Sequence, residues 1–569
     1  MKGYILGISC GYHDSAAALI KDGKVLGAVE EERFTGIKHD SSFPINTIKW
    51  LYDEFKITGD DINAVAYYDN PKYKLDRIEK SLKRGPLTQF FNRKKILKRN
   101  KIKYDTFENQ IYGITHRNVE LYYSEHHLSH AAYSFYTSPY DRASILSVDG
   151  VGEWETTTLW YGEGNKLSKI QQIKFPHSLG MLYSAFTAFL GFKPNEGEYK
   201  VMGLASYGDP QKFLNKFRKL YTITEDGGFE LNMEYFTYDW SDTHMFNEKL
   251  GKLLGIPNRL PEDNLNQPHK DLAATLQHEY EFLFFRLVDR LFAIRSSNNL
   301  CLSGGCAYNG TANGKILEKS NFKNVWIPPA PSDAGSAIGA ALHVYYENMG
   351  NAKRQDNTNP YLGPYTQNDE IKEILEEMDI DIWYEKKFHS EIIPIISKEI
   401  VDGNVVGWFE GRMEFGSRAL GNRSILGNPC DPQMQERINR VVKKREGFRP
   451  FAPIVKLEDQ AKYFDYDKPI PYMNQVVKVK EEYRDKLPAI THVDGSARIQ
   501  SLKKIQHKRM YNLLTQLHKD NGYPIVLNTS FNLKDQTMVL DPKTAIETFL
   551  NCEMDILVMH NYIVRKKIK

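Results

Sequence analysis

The 569-residue sequence has few cysteines, little net charge and no long apolar run. Its five cysteines are scattered, odd in number and form no Cys-x-x-Cys pair, which argues against a disulfide framework or a zinc ribbon. No stretch approaches the roughly 20 uncharged apolar residues that a membrane span needs. The N-terminus reaches glycine, histidine and aspartate too early for the apolar core of a signal peptide. These absences predict a soluble cytoplasmic enzyme without a membrane partner.

A net charge of +3 provides no bulk attraction for nucleic acid. The basic stretch at residues 91–103 is interpreted as an exposed helix face, so we expect no nucleic-acid partner. The length predicts two or more domains. A polar, proline-punctuated stretch predicts a linker at residues 351–367, between a first domain at 1–350 and a second at 368–569. A homodimer is the default expectation for a soluble enzyme of this kind.

Two histidines and an aspartate dominate the stretch from residue 124 to 154. His126 and His130 stand four residues apart in a predicted helix, so their rings share one face and can bind one metal ion. Asp149 follows a predicted buried strand and precedes glycines, a common way to present a carboxylate to a metal or phosphate. The alternative is a helix N-terminus whose histidines bond only to backbone or water.

The first residues predict a strand, a polar loop, a strand, a tight turn and a third strand. This order opens the actin-like ATPase (ASKHA) fold, in which the first loop approaches a nucleotide phosphate. His13 and Asp14 lie in that loop among small residues and are candidate catalytic groups. His13 is the candidate base, because its ordinary pKa suits proton transfer at neutral pH.

Glycine-rich turns supply the remaining candidates in the first domain. Lys200 lies between apolar neighbours in a glycine-rich segment and is a candidate catalytic or substrate contact. Asp333 begins a small-residue helix, either as an N-cap or as a further metal ligand. Backbone amides and small side chains at the turns can hold a nucleotide, and the candidates are Gly150, Gly152, Gly304, Gly305 and Asn309.

The second domain holds basic residues among glycine, proline and aromatic neighbours, which is not the pattern of a solvated charge run. Guanidinium groups bind phosphate through two parallel hydrogen bonds, and lysine adds a compact charge. The alternative is a set of salt bridges at a domain interface. The candidate contacts for phosphorylated ligands are Arg418, Arg423, Lys443, Arg449, Arg498, Asn528 and Ser530.

Five motifs, H-H-L-S-H-A-A, V-D-G-V-G-E-W, G-E-Y-K-V-M-G-L-A, S-G-G-C-A-Y-N and S-D-A-G, resemble the O-carbamoyltransferase family of nodulation, cephamycin and tobramycin biosynthesis. The resemblance covers essentially the whole chain. It implies an α/β fold with an actin-like first domain similar to the tRNA threonylcarbamoyl transferase, and a YrdC-like second domain. It also implies iron(II), or another divalent metal, on His126, His130, Asp149 and Asp333.

The resemblance implies a two-step reaction. Carbamoyl phosphate and ATP, accompanied by Mg²⁺, would yield carbamoyl adenylate in the second domain. The first domain would transfer the carbamoyl group to a hydroxyl of a small natural-product or sugar acceptor, as in antibiotic biosynthesis. Two alternatives remain open from the residues alone: an actin-like kinase or ATPase, and a tRNA-modifying protein.

Overall fold

A computed structural model describes residues 3–85, 90–241, 243–351, 353–378, 382–445, 447 and 449–567. The chain divides into two compact units. The first unit comprises Met1–Ala28 and Ser41–Thr358, and the second comprises Val29–Asp40 and Asn359–Lys569. The division after Thr358 lies within the range predicted as a linker. The grouping of Val29–Asp40 with the second unit was not predicted.

Two five-stranded sheets form the framework of the first unit. Its strands are β1 (Tyr4–Ser9), β2 (Ala16–Lys21), β3 (Lys24–Glu30), β4 (Ile62–Tyr67), β5 (Glu120–Tyr123), β6 (Arg142–Val148), β7 (Glu155–Glu163), β8 (Lys166–Lys174), β9 (Tyr221–Ile223), β10 (Phe229–Leu231), β11 (Asn299–Ser303) and β12 (Asn324–Trp326). The first sheet has the order β3-β2-β1-β4-β5, and the second has the equivalent order β8-β7-β6-β11-β12.

The two sheets share their strand directions as well as their order. In each, the first strand pairs antiparallel with the next one along the chain and parallel with a later strand. A further parallel strand then follows at the edge. This duplicated arrangement is that of the actin-like fold, so the predicted fold of the first domain is confirmed.

Helices lie between and beside these strands. Those in the first 358 residues are α1 (Glu32–Thr35), α2 (Ile45–Phe55), α3 (Pro71–Leu82), α4 (Phe90–Thr115), α5 (His126–Tyr136), α6 (Leu179–Phe189), α7 (Glu198–Leu204), α8 (Leu214–Phe217), α9 (Glu248–Leu254), α10 (Gln267–Ile294), α11 (Gly310–Asn313), α12 (Ile316–Lys319) and α13 (Asp333–His343). The described lysines of α4, such as Lys94 and Lys98, are exposed. Within the described residues, no helix is both long and apolar enough to cross a membrane.

Close packing of α5 against α13 determines where the candidate metal ligands lie. A Cβ at Gly339 of α13 would stand 1.9 Å from the carbonyl oxygen of Ser129 in α5. Only glycine permits this approach of two helix backbones. Both helices are buried along almost their whole length. Their N-terminal residues, His126 and Asp333, are thereby brought to one point.

The second unit is built on an eight-stranded mixed sheet of order β13-β22-β21-β14-β15-β20-β16-β19 and a two-stranded ribbon, β17-β18. Its strands are β13 (Ile382–Lys386), β14 (Val406–Phe409), β15 (Arg423–Gly427), β16 (Ala452–Lys456), β17 (Val476–Lys478), β18 (Ser496–Arg498), β19 (Gln500–Leu502), β20 (Ile525–Ser530), β21 (Ile556–Met559) and β22 (Tyr562–Lys566). Its later helices are α14 (Asn368–Glu377), α15 (His389–Val401), α16 (Met434–Glu436), α17 (Leu457–Tyr463), α18 (Glu481–Arg484), α19 (Lys508–Asn521) and α20 (Pro542–Leu550). A separate α/β unit is thus confirmed for the C-terminal part.

Candidate functional site

Four buried side chains from four different places in the sequence meet in the first unit. His126 and His130 come from the first turns of α5, Asp149 follows β6, and Asp333 begins α13. None of these four residues is more than 9% exposed. One ligand atom from each lies within 4.8 Å of the others, the spacing of a possible metal site.

The distances fit a single ion. The Nε2 atoms of His126 and His130 lie 3.0 Å apart, and Oδ2 of Asp149 lies 2.9 Å and 3.4 Å from them. Oδ1 of Asp333 lies 3.6 Å and 3.7 Å from the same two nitrogens. Ligand atoms bound at about 2.1 Å to one ion stand roughly 3.0–3.5 Å apart. The donor set of two imidazoles and two carboxylates therefore fits a divalent transition metal.

Neighbouring groups orient these ligands. Gly305 N donates to Oδ1 of Asp149 at 2.9 Å, so the other oxygen remains directed at the histidines. Ser336 Oγ lies 2.9 Å from Nδ1 of His130, which orients Nε2 towards the cluster. Such outer contacts fix the ring orientation and basicity of metal ligands. The parallel strands β6 and β11 end side by side, which places the Asp149 and Gly305 loops together.

The histidines and carboxylates of this cluster shift one another's pKa values. Burial lowers the pKa of His126, but Asp333 and Asp149 outweigh that effect and hold it at about 9. Burial likewise opposes ionisation of Asp149, but its hydrogen bonds to His126 and His130 hold its pKa well below the ordinary value. The carboxylates thus stabilise positive charge at this point, either a proton on an imidazole or a bound cation.

His13 and Asp14 lie beside the four candidate metal ligands. Nδ1 of His13 is 2.9 Å from Oδ2 of Asp14, and its Nε2 is 4.0 Å from Oδ2 of Asp333. The His13 side chain is 19% exposed, so it remains open to a ligand. Burial lowers its pKa, but Asp333 and Asp14 together raise it well above the ordinary value.

Several residues around this centre were not predicted as functional. Glu153 accepts hydrogen bonds from the backbone N–H groups of His126 at 2.9 Å and Asn70 at 2.7 Å, and thereby fixes the start of α5. Burial and nearby Asp69 raise the pKa of Glu153 to about 7. Asp69 is fully buried and bonds to the ammonium of Lys74. The available signal was the position of Asp69 directly after the buried strand β4 and Tyr68.

The glycine-rich turns serve the architecture of this centre. Gly304 has φ +85°, and a Cβ there would lie 2.2 Å from the carbonyl oxygen of Val148. A Cβ at Gly152 would lie 2.9 Å from Cβ of His126. Near Gly150 the corresponding contact, with the sulfur of Met181, is an ordinary 3.6 Å.

Asn309 and Lys200 have local contacts of their own. The Asn309 side chain caps α11 through the N–H of Ala312 and exchanges hydrogen bonds with Gln277. The ammonium of Lys200, on α7, lies 5.7 Å from the ring centroid of Phe192. The nucleotide role predicted for the glycines and Asn309, and the catalytic role predicted for Lys200, stay predictions.

A cluster of cations marks the second unit. Lys443 is 2% exposed, and its ammonium donates to the carbonyl oxygen of Ser530 at 2.8 Å, Oγ of Ser530 at 3.1 Å and Oδ1 of Asn532 at 2.9 Å. Burial and the charges of Arg445 and Arg449 lower its pKa well below the ordinary value. Like charges that act together on one buried ammonium favour an anionic ligand.

The cluster extends to two further predicted arginines. Burial, followed by the charges of Arg418 and Arg445, lowers the pKa of the Arg498 guanidinium well below its usual range. We define the cationic cluster as Arg418, Lys443, Arg445, Arg449 and Arg498. Arg445 was not among the predicted contacts.

Arg423 does not join the cationic cluster. It is fully buried, and its guanidinium donates to the backbone carbonyls of Glu410, Gly411 and Pro364 while lying 3.7 Å from the ring centroid of Phe409. These contacts are all with the protein itself, and the phosphate contact predicted for Arg423 stays a prediction. Sequence reasoning grouped it with the phosphate contacts because it too lies near glycines, which do not reveal burial.

Asn528 is also buried, and its amide donates to the carbonyl oxygen of Ala419 at 2.9 Å. It thereby supports the chain immediately after Arg418. Ser530 contacts the Lys443 ammonium directly, as described above. Of the seven predicted contacts, Arg418, Lys443, Arg449 and Arg498 belong to the cationic cluster, and Asn528 and Ser530 support it.

Comparison with known proteins identifies relatives of both units. The family model described as carbamoyltransferase N-terminus matches residues 4–342, and that described as carbamoyltransferase C-terminus matches residues 397–566. An uncharacterised protein of Synechocystis sp. is 42% identical over 99% of this chain and 97% of its own length. Nodulation protein NolNO of Sinorhizobium fredii is 35% identical over 98% of this chain and 79% of its own.

Two further comparisons are more distant. Nodulation protein U of Sinorhizobium fredii is 30% identical over 72% of both chains. Among solved structures, component A of the (R)-2-hydroxyglutaryl-CoA dehydratase of Acidaminococcus fermentans is 14% identical, with a TM-score of 0.34 over 61% of this chain and 99% of its own. With a TM-score this low, the fold assignment rests on the sheet topology and not on this similarity.

Proposed function

Since the chain belongs to the carbamoyltransferase family, we propose that it is an ATP-dependent O-carbamoyltransferase acting through carbamoyl adenylate. The second unit makes this intermediate from carbamoyl phosphate and ATP. The first unit transfers the carbamoyl group to a hydroxyl of a small natural-product or sugar acceptor.

The observation that carries the proposal is the cationic cluster. After burial, the strongest influences on the pKa of Lys443 are the like charges of Arg445, Arg449 and Lys38. Salt bridges would pair these cations with acidic groups and would not gather several positive charges together. An actin-like kinase, in turn, needs no second phosphate site. Two phosphorylated substrates bound together would bring the negative charge that this arrangement favours.

The adenylating reaction has two steps. Water cleaves carbamoyl phosphate to carbamate and phosphate, and a carbamate oxygen then bonds to the α-phosphorus of ATP while pyrophosphate leaves. Arg418, Lys443 and Arg498 offset the charge that develops on the phosphoryl oxygens. Mg²⁺ accompanies ATP, as is usual where phosphate oxygens must be neutralised. That the second unit is YrdC-like, as the family resemblance implies, is part of the same proposal.

In the first unit, His126, His130, Asp149 and Asp333 would hold iron(II) or another divalent cation. A bound cation there supplies positive charge that can polarise a carbonyl group. Such a cation beside Asp333 would offset the carboxylate charge that raises the pKa of His13, and would thereby favour the neutral imidazole.

Neutral His13 is suited to remove the acceptor proton. Its Nδ1 can donate to Asp14 at 2.9 Å, which leaves the lone pair on Nε2 available. Nε2 takes the proton of the acceptor hydroxyl, whose oxygen bonds to the carbamoyl carbon as AMP leaves. Asp14 holds the imidazole in this tautomer.

Pyrophosphate release tests the first half-reaction without an acceptor. The protein is incubated with carbamoyl phosphate, ATP and Mg²⁺, and pyrophosphate is followed for wild type and Arg418→Ala. We expect release that depends on carbamoyl phosphate and falls on the order of 100-fold in the variant. Arg142→Ala is the matched control, since Arg142 is 65% exposed on a strand of the first unit. Release unaffected by Arg418→Ala would reject the assignment of this cluster.

A further inference from the structure

The segment Val29–Asp40, which groups with the second unit, contacts one glycine there from both sides. Gly416 N donates to Oε1 of Glu30 at 2.8 Å, and the carbonyl oxygen of Gly416 accepts from Nη2 of Arg33 at 3.1 Å. Gly416 has φ +110°, a conformation that favours glycine. The glycine lies two residues before Arg418 of the cationic cluster.

The two side chains that contact Gly416 are themselves buried and paired. Nη2 of Arg33 is 3.5 Å from Oε1 of Glu30, and the side chains are 5% and 6% exposed. Nη1 of Arg33 is also 2.7 Å from Glu32. Groups held in such a network have little freedom to move, and removal of one partner leaves the other poorly compensated. The carbonyl and amide of Gly416 are therefore held rigidly.

The chain after Arg418 has its own anchors. Oε1 of Glu414 accepts from Leu420 N and Asn422 N, both at 2.7 Å. The Ala419 carbonyl accepts from Asn528 at 2.9 Å. Arg418 thus lies between an anchored Gly416 and an anchored stretch that begins at Ala419. Loss of either anchor would let the Arg418 backbone shift.

We propose that Glu30 and Arg33 are positioning residues that set the place of Arg418 in the adenylate-forming site, an inference that rests on the proposed function. Neither side chain needs to touch substrate. The consequence is that residues N-terminal to position 41 control a reaction of the C-terminal unit. A misplacement of about 1 Å at a reacting site can cost on the order of 100-fold in rate.

The test compares Glu30→Gln and Arg33→Lys with wild type in carbamoyl-phosphate-dependent pyrophosphate release. Glu30→Gln leaves Arg33 paired with Glu32, but it removes the ion pair with Arg33 and leaves only a weaker, neutral acceptor for Gly416 N. We expect a loss of 10- to 100-fold in kcat/KM, carried mainly by kcat, because ligand charge remains while alignment is lost. Arg33→Lys keeps the charge but not the planar fork, and we expect a smaller loss than in Arg33→Ala. Ile37→Ala, at a side chain that is 61% exposed in the same segment, is the control.

Folding and function are separated by a second measurement. Pyrophosphate binding to each variant is measured by calorimetry, alongside thermal unfolding. If wild type releases no pyrophosphate, the proposed function fails; if wild type releases it and Glu30→Gln and Arg33→Ala release it at the wild-type rate, only the inference fails. Activity and pyrophosphate binding within twofold of wild type in Glu30→Gln and Arg33→Ala, or an equal loss in Ile37→Ala, would overturn the inference.

Discussion

Removal of the charge on Asp149 should remove most of the metal-dependent stabilisation of the first unit. Asp149→Asn retains the shape and the hydrogen bond from Gly305. It replaces the oxygen that lies 2.9 Å and 3.4 Å from His126 and His130 by a neutral amide atom. Loss of an outer partner of a metal ligand costs about 10- to 100-fold in affinity, so loss of a ligand itself should cost about 100-fold or more.

The magnitude follows from binding linkage. At a metal concentration of about 100 times the wild-type Kd, bound metal stabilises wild type by about 2.7 kcal/mol. A 100-fold weaker variant gains only about 0.4 kcal/mol at the same concentration. For a unit of this size, the difference of about 2.3 kcal/mol corresponds to roughly 3 °C in Tm.

The assay is thermal unfolding during anaerobic titration with Fe²⁺, and separately with Mn²⁺ and Zn²⁺, supported by metal content after gel filtration. Asp60→Asn, at an exposed carboxylate in the same unit, is the control. The reasoning is refuted if Asp149→Asn keeps the metal-induced rise in Tm and the metal content of wild type.

Three further predictions concern single residues. Lys443→Met should weaken pyrophosphate binding on the order of 100-fold, because a cation of the cluster is removed, and should lower ligand-free stability by about 1–3 kcal/mol, because Ser530 and Asn532 lose a buried donor; calorimetry and thermal unfolding check this, and unchanged pyrophosphate binding would contradict it. His507 accepts from Met510 N and donates to the Gly421 carbonyl, and burial lowers its pKa to about 4. As the pH falls, the His507 imidazole is therefore protonated in the unfolded chain at a higher pH than in the folded protein. The free energy of unfolding should then fall by up to about 3 kcal/mol as the pH drops from about 6.5 towards 4. Denaturation of wild type and His507→Asn at pH 7.5 and 5 measures this, and the same pH dependence in both would count against it. His13→Ala should keep pyrophosphate release but lose acceptor carbamoylation by about 10²- to 10⁴-fold, and unchanged acceptor turnover would show that His13 is not the base.

The sequence was most informative where candidate metal ligands lie within or directly after a regular helix or strand pattern. The i, i+4 spacing of His126 and His130 predicted one shared helical face, and the buried strand predicted the loop position of Asp149. Asp333 was open to two interpretations, an N-cap or a further metal ligand, and the resemblance favoured the ligand. Its place in the cluster depends on the packing of α13 against α5, which no local pattern encodes.

Long-range contacts explain what the sequence did not reveal. Arg418 and Arg423 lie five residues apart in one glycine-rich stretch, yet Arg423 is fully buried against backbone carbonyls. Glu30 lies more than 380 positions from Gly416, so their hydrogen bond has no sequence signature. Glu153 stood inside a recognised motif, but its acceptance of the His126 N–H required the folded loop.

The fate of the nucleotide distinguishes adenylate formation from transfer of the γ-phosphate. ATP labelled at the α-phosphate is incubated with the protein, Mg²⁺ and carbamoyl phosphate, and the products are separated after quenching. We expect pyrophosphate and a labelled carbamoyl adenylate, or AMP from its breakdown, in proportion to the carbamoyl phosphate consumed. Formation of ADP with a phosphorylated acceptor and no pyrophosphate would contradict it and would favour an actin-like kinase.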